Sequence, residues 1–168
     1  MRRRSTPPCQ ARPDPPGADA VARAVLRAQS LCDARGRRFT ELRKHVYELI
    51  FGAGGAIKAY DLLDRLKPEK GSPKPPTVYR ALEFLSELGL IHRVEALNAY
   101  IACDPDHLSH AHHSAEFFVC QCCETVEERH ASESVAAVPE GFRVHRSVVE
   151  HYGLCARCAT GPLAVAHA

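Results

Sequence analysis

Two cysteine motifs stand 31 residues apart in this chain: C-Q-C-C at residues 120–123 and C-A-R-C at residues 155–158. Within each motif, a two-residue spacer lets both outer thiolates turn toward one metal ion. Zinc suits four thiolates because it takes sulfur ligands at about 2.3 Å in a tetrahedral arrangement and has no redox chemistry. The spacing therefore predicts a structural zinc ion that staples a small domain. Its four ligands are Cys120, Cys123, Cys155 and Cys158.

The first motif contains a third cysteine, Cys122, which competes with Cys123 for a ligand position. Only Cys123 reproduces the spacer of the second motif, so we interpret Cys122 as a bystander that faces the other way.

Disulfides or buried free thiols are the alternative to a zinc site, but no feature of the sequence points to export. The start, Met1-Arg-Arg-Arg, has no apolar run behind it. We therefore expect no signal peptide, no membrane span and a cytoplasmic protein.

Charge is divided unevenly along the 168 residues. Residues 1–93 carry 18 Lys and Arg against 10 Asp and Glu, a balance of +8, whereas residues 94–168 carry 4 against 10, a balance of −6. Eight of the ten histidines and six of the eight cysteines also lie after residue 93. The division predicts an anion-binding first half and a metal-binding second half. Neither half would have a large core, so we expect a second copy of the chain to complete the fold.

Apolar residues recur at helical spacing through the first half. The pattern predicts a helix over Ala18–Arg35, a second helix that Thr40 caps and a short third helix. Two short alternating segments then predict a β-hairpin that ends at Cys103. Helices followed by such a hairpin make a winged helix-turn-helix domain, here residues 19–103. The proline-rich residues 1–18 are predicted to be a disordered tail.

The stretch K-P-P-T-V-Y-R-A-L at residues 74–82 predicts the recognition helix of this domain. Pro76 suits a helix start, and Tyr79 and Arg80 point away from the apolar face. The first turns of a recognition helix meet base edges, while Lys and Arg neutralise phosphates. The predicted DNA contacts are Tyr60, Lys74, Thr77, Tyr79 and Arg80.

The second half is predicted to be a small α/β unit. Its strands surround the first cysteine motif, a short helix covers residues 132–138, and a third strand covers residues 142–150. The chain is thus predicted to be α+β, with the winged-helix domain followed by a zinc-stapled dimerisation domain. The remaining boundaries are a hinge at 104–106, the dimerisation domain at 107–160 and a tail at 161–168.

Several motifs match one known family. They are A-Y-D-L-L-D at 59–64, K-P-P-T-V-Y-R-A-L at 74–82, the single Cys103 after the hairpin, H-S-A-E-F-F-V-C-Q-C-C at 113–123 and Y-G-L-C-A-R-C at 152–158. Over residues 20–160 the sequence resembles the ferric uptake regulator family, most closely its zinc uptake regulator branch. The resemblance implies a homodimeric repressor that binds a palindromic, AT-rich DNA operator when metal is plentiful. It also matches the four cysteines to the family's structural zinc site.

The resemblance implies a second, regulatory metal site that joins the two domains. Its ligands fall on His92, Cys103, His113 and Glu128. Two imidazoles, a thiolate and a carboxylate make a closed tetrahedral set, and the soft thiolate favours zinc over iron or manganese. Iron-sensing members usually carry an aspartate among the histidines before the first cysteine motif, where this chain reads H-A-H-H-S. Sensing of iron, manganese, nickel or peroxide stays the alternative.

The role of three further histidines also stays open; they are His107, His110 and His112. A zinc hydrolase with Glu127 as its base would need an open fourth ligand position, whereas four ligands are already available, so we predict no enzyme. A zinc-ribbon adaptor for protein partners would not require the basic first half.

We expect zinc to clamp the two domains. The bound ion would fix the separation of the recognition helices in the dimer, and the protein would thereby control zinc uptake genes.

Overall fold

The computed structural model describes residues 14–67, 73–103, 114–130, 138–144 and 147–160. The helices are α1 (Ala18–Ala34), α2 (Glu41–Gly52), α3 (Ala59–Arg65), α4 (Pro75–Glu87) and α5 (Ala156–Ala159). The strands are β1 (Ile57–Lys58), β2 (Ile91–Val94), β3 (Ala99–Ala102), β4 (Ser114–Cys120), β5 (Val126–His130) and β6 (Ser147–Gly153). Within these residues, no helix is both long and apolar enough to cross a membrane.

The first half folds as helices packed on a small antiparallel sheet in the order β1-β3-β2. Helix α1 matches the predicted helix to within one residue and buries Cys32 in the core. Thr40 occupies the cap position of α2 as predicted, but its hydroxyl makes no capping hydrogen bond. Helix α4 buries an apolar stripe and ends before Gly89, whose φ of +75° suits a residue without a Cβ.

Strands β2 and β3 form the predicted hairpin, here called the wing. A short 3₁₀ turn, Glu95–Leu97, leads into Asn98, which adopts the left-handed conformation (φ +46°, ψ +46°) that asparagine tolerates. Alternate side chains point to opposite faces of a strand. Ile91 therefore packs on the helices, whereas Val94 faces the second half of the chain.

The second half contains a sheet in the order β5-β4-β6, with β4 antiparallel to β5 and parallel to β6. Residues 142–144, predicted to begin the third strand, are not in a strand, and β6 continues three residues beyond the predicted end to Gly153. Its described residues pair with β4 from Ser147 opposite Ser114 to Gly153 opposite Cys120. The helix predicted over 132–138 lies almost wholly outside the described residues.

One row of side chains crosses this second sheet on the face toward the wing. Phe117 on β4 is paired with Glu128 on β5 and with Glu150 on β6. Residues paired across neighbouring strands share a face, so these three side chains stand side by side. The next row, which includes Phe118 and Glu127, lies on the opposite face.

An apolar cluster joins the wing to the second sheet. Val94 and Ile101 of the wing pack against three buried residues of β4 and β5, namely Phe117, Val119 and Val126. The wing sheet therefore lies between the helices and the second sheet.

Candidate metal centres and nucleic-acid interface

The four cysteines predicted to bind zinc are brought together at one end of the second sheet. Cys120 ends β4, Cys123 lies in the following turn, and the second motif places its pair at the start of α5 and within it. All four sulfurs lie within 4.8 Å of one another. Cys123 Sγ and Cys155 Sγ are 3.8 Å apart, which matches the separation of about 3.8 Å that a tetrahedral ion with bonds of about 2.3 Å requires. The donor set fits zinc.

Backbone N–H groups stabilise the thiolate form of Cys120 in this cluster. The N–H of Cys155 donates to Cys120 Sγ at 3.3 Å. Burial raises the pKa of the Cys120 thiol, but the backbone N–H groups of Cys155, Cys123 and Cys122 outweigh burial and lower the pKa from 9.0 to about 6. Because the thiolate is the form that binds metal, the fold favours the ionised ligand.

The turn after the first motif also contacts the first half. Cys122 is half-buried and stands outside the four-sulfur cluster, consistent with its interpretation as a bystander. Glu124 adopts a positive φ of +59° and donates its N–H to the carbonyl of Cys120 at 2.9 Å. Its carboxylate lies 3.4 Å from Lys58 Nζ, just before α3. The metal-binding turn and the start of α3 are therefore linked by an ion pair.

A second cluster combines ligands from both halves. His92 on β2 and Cys103 after β3 meet Glu128 on β5, with one ligand atom of each within 4.8 Å of the others. Cys103 Sγ lies 2.8 Å from His92 Nδ1, and Glu128 Oε1 lies 3.6 Å from the same nitrogen. Tetrahedral zinc would need the sulfur and nitrogen about 3.6 Å apart, so a small opening of this pair admits the ion. The fourth predicted ligand, His113, lies outside the described residues.

Burial fixes the orientation of this second cluster. His92 is 1% exposed and Cys103 is 3% exposed. The His92 ring meets the edge of Phe117 at a centroid distance of 5.1 Å, so the residue beside Glu128 in the sheet also supports the imidazole. The site therefore depends on contact between the wing and the second sheet. Sequence reasoning missed Phe117 because the alternating pattern of β4 does not reveal what lies opposite each residue.

The predicted DNA contacts are exposed and lie near the starts of α3 and α4. Tyr60 is 70% exposed at the start of α3, and Tyr79 is 49% exposed on α4. Lys74, Thr77 and Arg80 are exposed as well. All five precede or occupy the first turns of α3 and α4.

The start of α4 offers unusually few backbone donors. Pro75 and Pro76 have no N–H group, and the N–H groups of Thr77 and Val78 both donate to the carbonyl of Lys74, at 2.9 and 3.3 Å. At this end of the helix, side chains and not backbone N–H groups are available to contact an anion or a base edge.

Comparison with known proteins agrees with these features. The model of the ferric uptake regulator family matches residues 34–152. The zinc uptake regulation protein of Escherichia coli (strain K12) is 41% identical over 140 residues, which cover 80% of each protein. A solved structure of a zinc uptake regulator complexed with zinc and DNA superposes with a TM-score of 0.73 at 38% identity, and the match covers 83% of this chain and 95% of that chain.

Two solved structures of XcZur match this chain to different degrees. The holo form matches with a TM-score of 0.71 at 38% identity, covering 82% of this chain and 97% of that chain. The apo form matches with a TM-score of only 0.52 at 37% identity, covering 85% and 100%. At nearly equal identity, the overall structure of this chain is therefore more similar to the holo form than to the apo form. By its motifs, its fold and these relatives, the chain belongs to the ferric uptake regulator family.

Proposed function

We propose that this chain is a zinc-responsive transcriptional repressor that binds a palindromic operator as a homodimer when zinc is plentiful and thereby controls zinc uptake genes. The observation that carries this proposal is the cluster of His92, Cys103 and Glu128, which joins the DNA-binding half to the second sheet. A regulator of this kind acts on DNA in the cytoplasm.

The regulatory site consists of His92, Cys103, His113 and Glu128. Its thiolate selects zinc over harder divalent ions, and its imidazoles and carboxylate complete a closed site. The relative from Escherichia coli is named for zinc uptake regulation, which supports zinc over the alternative of iron, manganese, nickel or peroxide. The structural zinc ion is held separately by Cys120, Cys123, Cys155 and Cys158.

Zinc acts as a clamp between domains. We assign residues 19–103 to DNA binding, 104–106 to a hinge and 107–160 to dimerisation, with tails at 1–18 and 161–168. An ion held by both domains fixes the direction of α4 relative to the dimer unit. Only one separation of the two recognition helices matches two half-sites on one face of DNA, so zinc affinity and DNA affinity are linked.

The second copy of the chain covers the second sheet. Strand β6 is an edge strand of the described sheet, and apolar side chains are exposed on it and on the segment before it. These are Phe142, Val148, Val149 and Tyr152. An open edge with exposed apolar residues is stabilised by pairing with another strand.

DNA is bound by side chains at the start of α3 and α4. Arg80 and the two tyrosines, Tyr60 and Tyr79, contact bases or the sugars beside them, whereas Lys74 and Thr77 contact phosphates. The enzyme alternative is disfavoured because Glu127 lies on the face of the sheet opposite Glu128, away from the cluster it would serve.

The test is metal-dependent selection of DNA. A random duplex library is incubated with the purified protein in zinc, iron(II), manganese(II), nickel(II) or chelator, and the bound DNA is sequenced. We expect a palindromic, AT-rich site to be enriched with zinc alone. Enrichment with iron(II) but not with zinc would replace the proposal by its alternative, and no enrichment under any condition would refute DNA binding.

A further inference from the structure

We propose that Glu150 is a positioning residue that latches the wing onto the second sheet and thereby lowers the zinc concentration at which the protein binds DNA. The inference rests on the proposed function, since it concerns the regulatory site. The contact of Glu150 with the backbone of Glu95 and Ala96, called the latch below, joins the two halves and contains no metal ligand.

Glu150 caps the turn of the wing. Its Oε1 accepts a hydrogen bond from the N–H of Glu95 at 2.8 Å, and its Oε2 lies 3.5 Å from the N–H of Ala96. The first N–H groups of a helical turn have no partner inside the turn, and Val94 at the cap position has no polar side chain to supply one. The second half of the chain therefore satisfies the backbone of the first half.

A tyrosine holds this carboxylate in place. The hydroxyl of Tyr152, two residues along β6, donates to Glu150 Oε2. Burial raises the pKa of Glu150, but the Tyr152 hydroxyl and the two wing N–H groups outweigh burial and lower it. The carboxylate is therefore the charged acceptor of three donors, which makes each hydrogen bond stronger than a neutral one.

The latch and the regulatory site share one row of the second sheet. Glu128, Phe117 and Glu150 stand side by side on β5, β4 and β6. Neighbouring strands are about 4.8 Å apart, so the two carboxylates are separated by roughly 10 Å across a rigid sheet. Glu128 approaches His92 on the wing, and Glu150 binds the turn that ends the same wing strand. When Glu150 holds the turn, Glu128 is already beside the imidazole that zinc will join.

The consequence follows from a two-state equilibrium. Zinc binds the closed arrangement, in which His92 and Glu128 are adjacent, and its apparent affinity falls in proportion as that arrangement becomes less populated. Loss of the latch lowers the population of the closed form before zinc binds. Saturating zinc restores closure, so the affinity of the saturated protein for DNA changes little.

The test compares Glu150→Ala and Glu150→Gln with the wild type and with Glu140→Ala, an exposed carboxylate in the same half of the chain. Each full-length protein is titrated with buffered zinc in the presence of labelled DNA selected by the wild type. Based on charged hydrogen bonds at a partly exposed site, we expect the zinc midpoint to rise about 3- to 10-fold for Glu150→Ala and less for Glu150→Gln. It should stay unchanged for Glu140→Ala. DNA affinity at saturating zinc should stay within about twofold of the wild type.

Two outcomes overturn the inference. An unchanged midpoint for Glu150→Ala means that the contact does not influence closure, and weaker DNA binding at saturating zinc with an unchanged midpoint assigns Glu150 to the dimer or the DNA. If Glu150→Ala does not fold, the titration of Glu150→Gln decides alone, since this variant keeps the shape and one acceptor.

Hydrogen–deuterium exchange separates this inference from the proposed function. The amides of Glu95 and Ala96 should be protected in the wild type and exchange faster in Glu150→Ala, whatever metal or DNA the protein binds. Equal exchange in both proteins would refute the latch even if zinc-dependent DNA binding is found. Protection that depends on Glu150, without any zinc-dependent DNA binding, would refute the proposed function and keep the contact.

Discussion

Replacing Cys103 by serine separates the regulatory site from the fold. Cys103 is 3% exposed, and its Sγ lies 2.8 Å from His92 Nδ1. Serine is similar in size and offers its hydroxyl to the same nitrogen, so the free energy of unfolding should fall by less than about 1.5 kcal/mol. The hydroxyl stays protonated at neutral pH, however, and does not replace a thiolate as a zinc ligand.

The effect on zinc binding should be much larger than the effect on stability. Mutating residues that only orient a metal ligand costs about 10- to 100-fold in metal affinity. Removing one of four direct ligands should therefore cost at least about 100-fold, or about 2.7 kcal/mol. After dialysis against buffered zinc, the variant should retain about one tight ion per chain instead of about two, because its four-cysteine site is intact.

The assay combines elemental analysis of the dialysed protein with operator binding followed by fluorescence anisotropy. Operator affinity of Cys103→Ser should stay at its zinc-free value as zinc is added. Cys32→Ser, at a fully buried cysteine in the first half, controls for burial, and Cys122→Ser controls for a thiol near the structural site. A Cys103→Ser protein that keeps both ions and still responds to zinc would refute the site, and the ligands would then be sought among His107, His110 and His112.

Four further substitutions test the structural site, the start of the recognition helix and the turn after the first cysteine motif. Cys155→Ser should lose the structural zinc and yield a monomer with an unfolded second half, because such a site contributes roughly 10 kcal/mol or more; sedimentation showing a zinc-replete dimer would contradict this. Arg80→Ala should cost about 1–3 kcal/mol at the operator and relax base preference at one position of each half-site. Lys74→Ala should weaken binding to all sequences alike and flatten its salt dependence by about one unit, and an equally uniform loss for Arg80→Ala would make Arg80 a phosphate contact. Glu124→Gly should keep or raise the melting temperature, since relief of its positive φ gains about 1 kcal/mol and the exposed ion pair with Lys58 contributes about 1 kcal/mol at most; a clear drop on thermal denaturation would show that this ion pair matters more.

Local patterns made much of the fold predictable. The apolar stripe of α4 and the extent of α1 follow from helical spacing, which depends on residues only a turn apart. The four-cysteine cluster was predictable because the geometry of zinc dictates the spacing of its ligands. Charge division and cysteine placement also indicated two halves with different roles.

Pairing between distant strands was not predictable from the sequence. The pattern predicts residues 142–144 to be part of the third strand, but they lie outside β6, whose partner β4 is distant in the sequence: Ser114 lies 33 residues before Ser147. The neighbours of Phe117 depend on the same pairing, so neither its contact with His92 nor the capping by Glu150 could be inferred. The meeting of His92 with Glu128 was expected only through family resemblance, since these residues belong to different sheets.

The two prolines that begin α4 affect how operator preference can change during evolution. The first two residues of α4 have no backbone N–H, and the next two N–H groups are already hydrogen-bonded to Lys74. DNA recognition therefore depends on a few exposed side chains of a helix that is held in place by its buried face. Such side chains can be exchanged without moving the helix or disturbing its buried stripe. Single substitutions at Thr77, Tyr79 or Arg80 can therefore change operator preference, while the metal response, which depends on residues of the wing and the second sheet, is inherited unchanged.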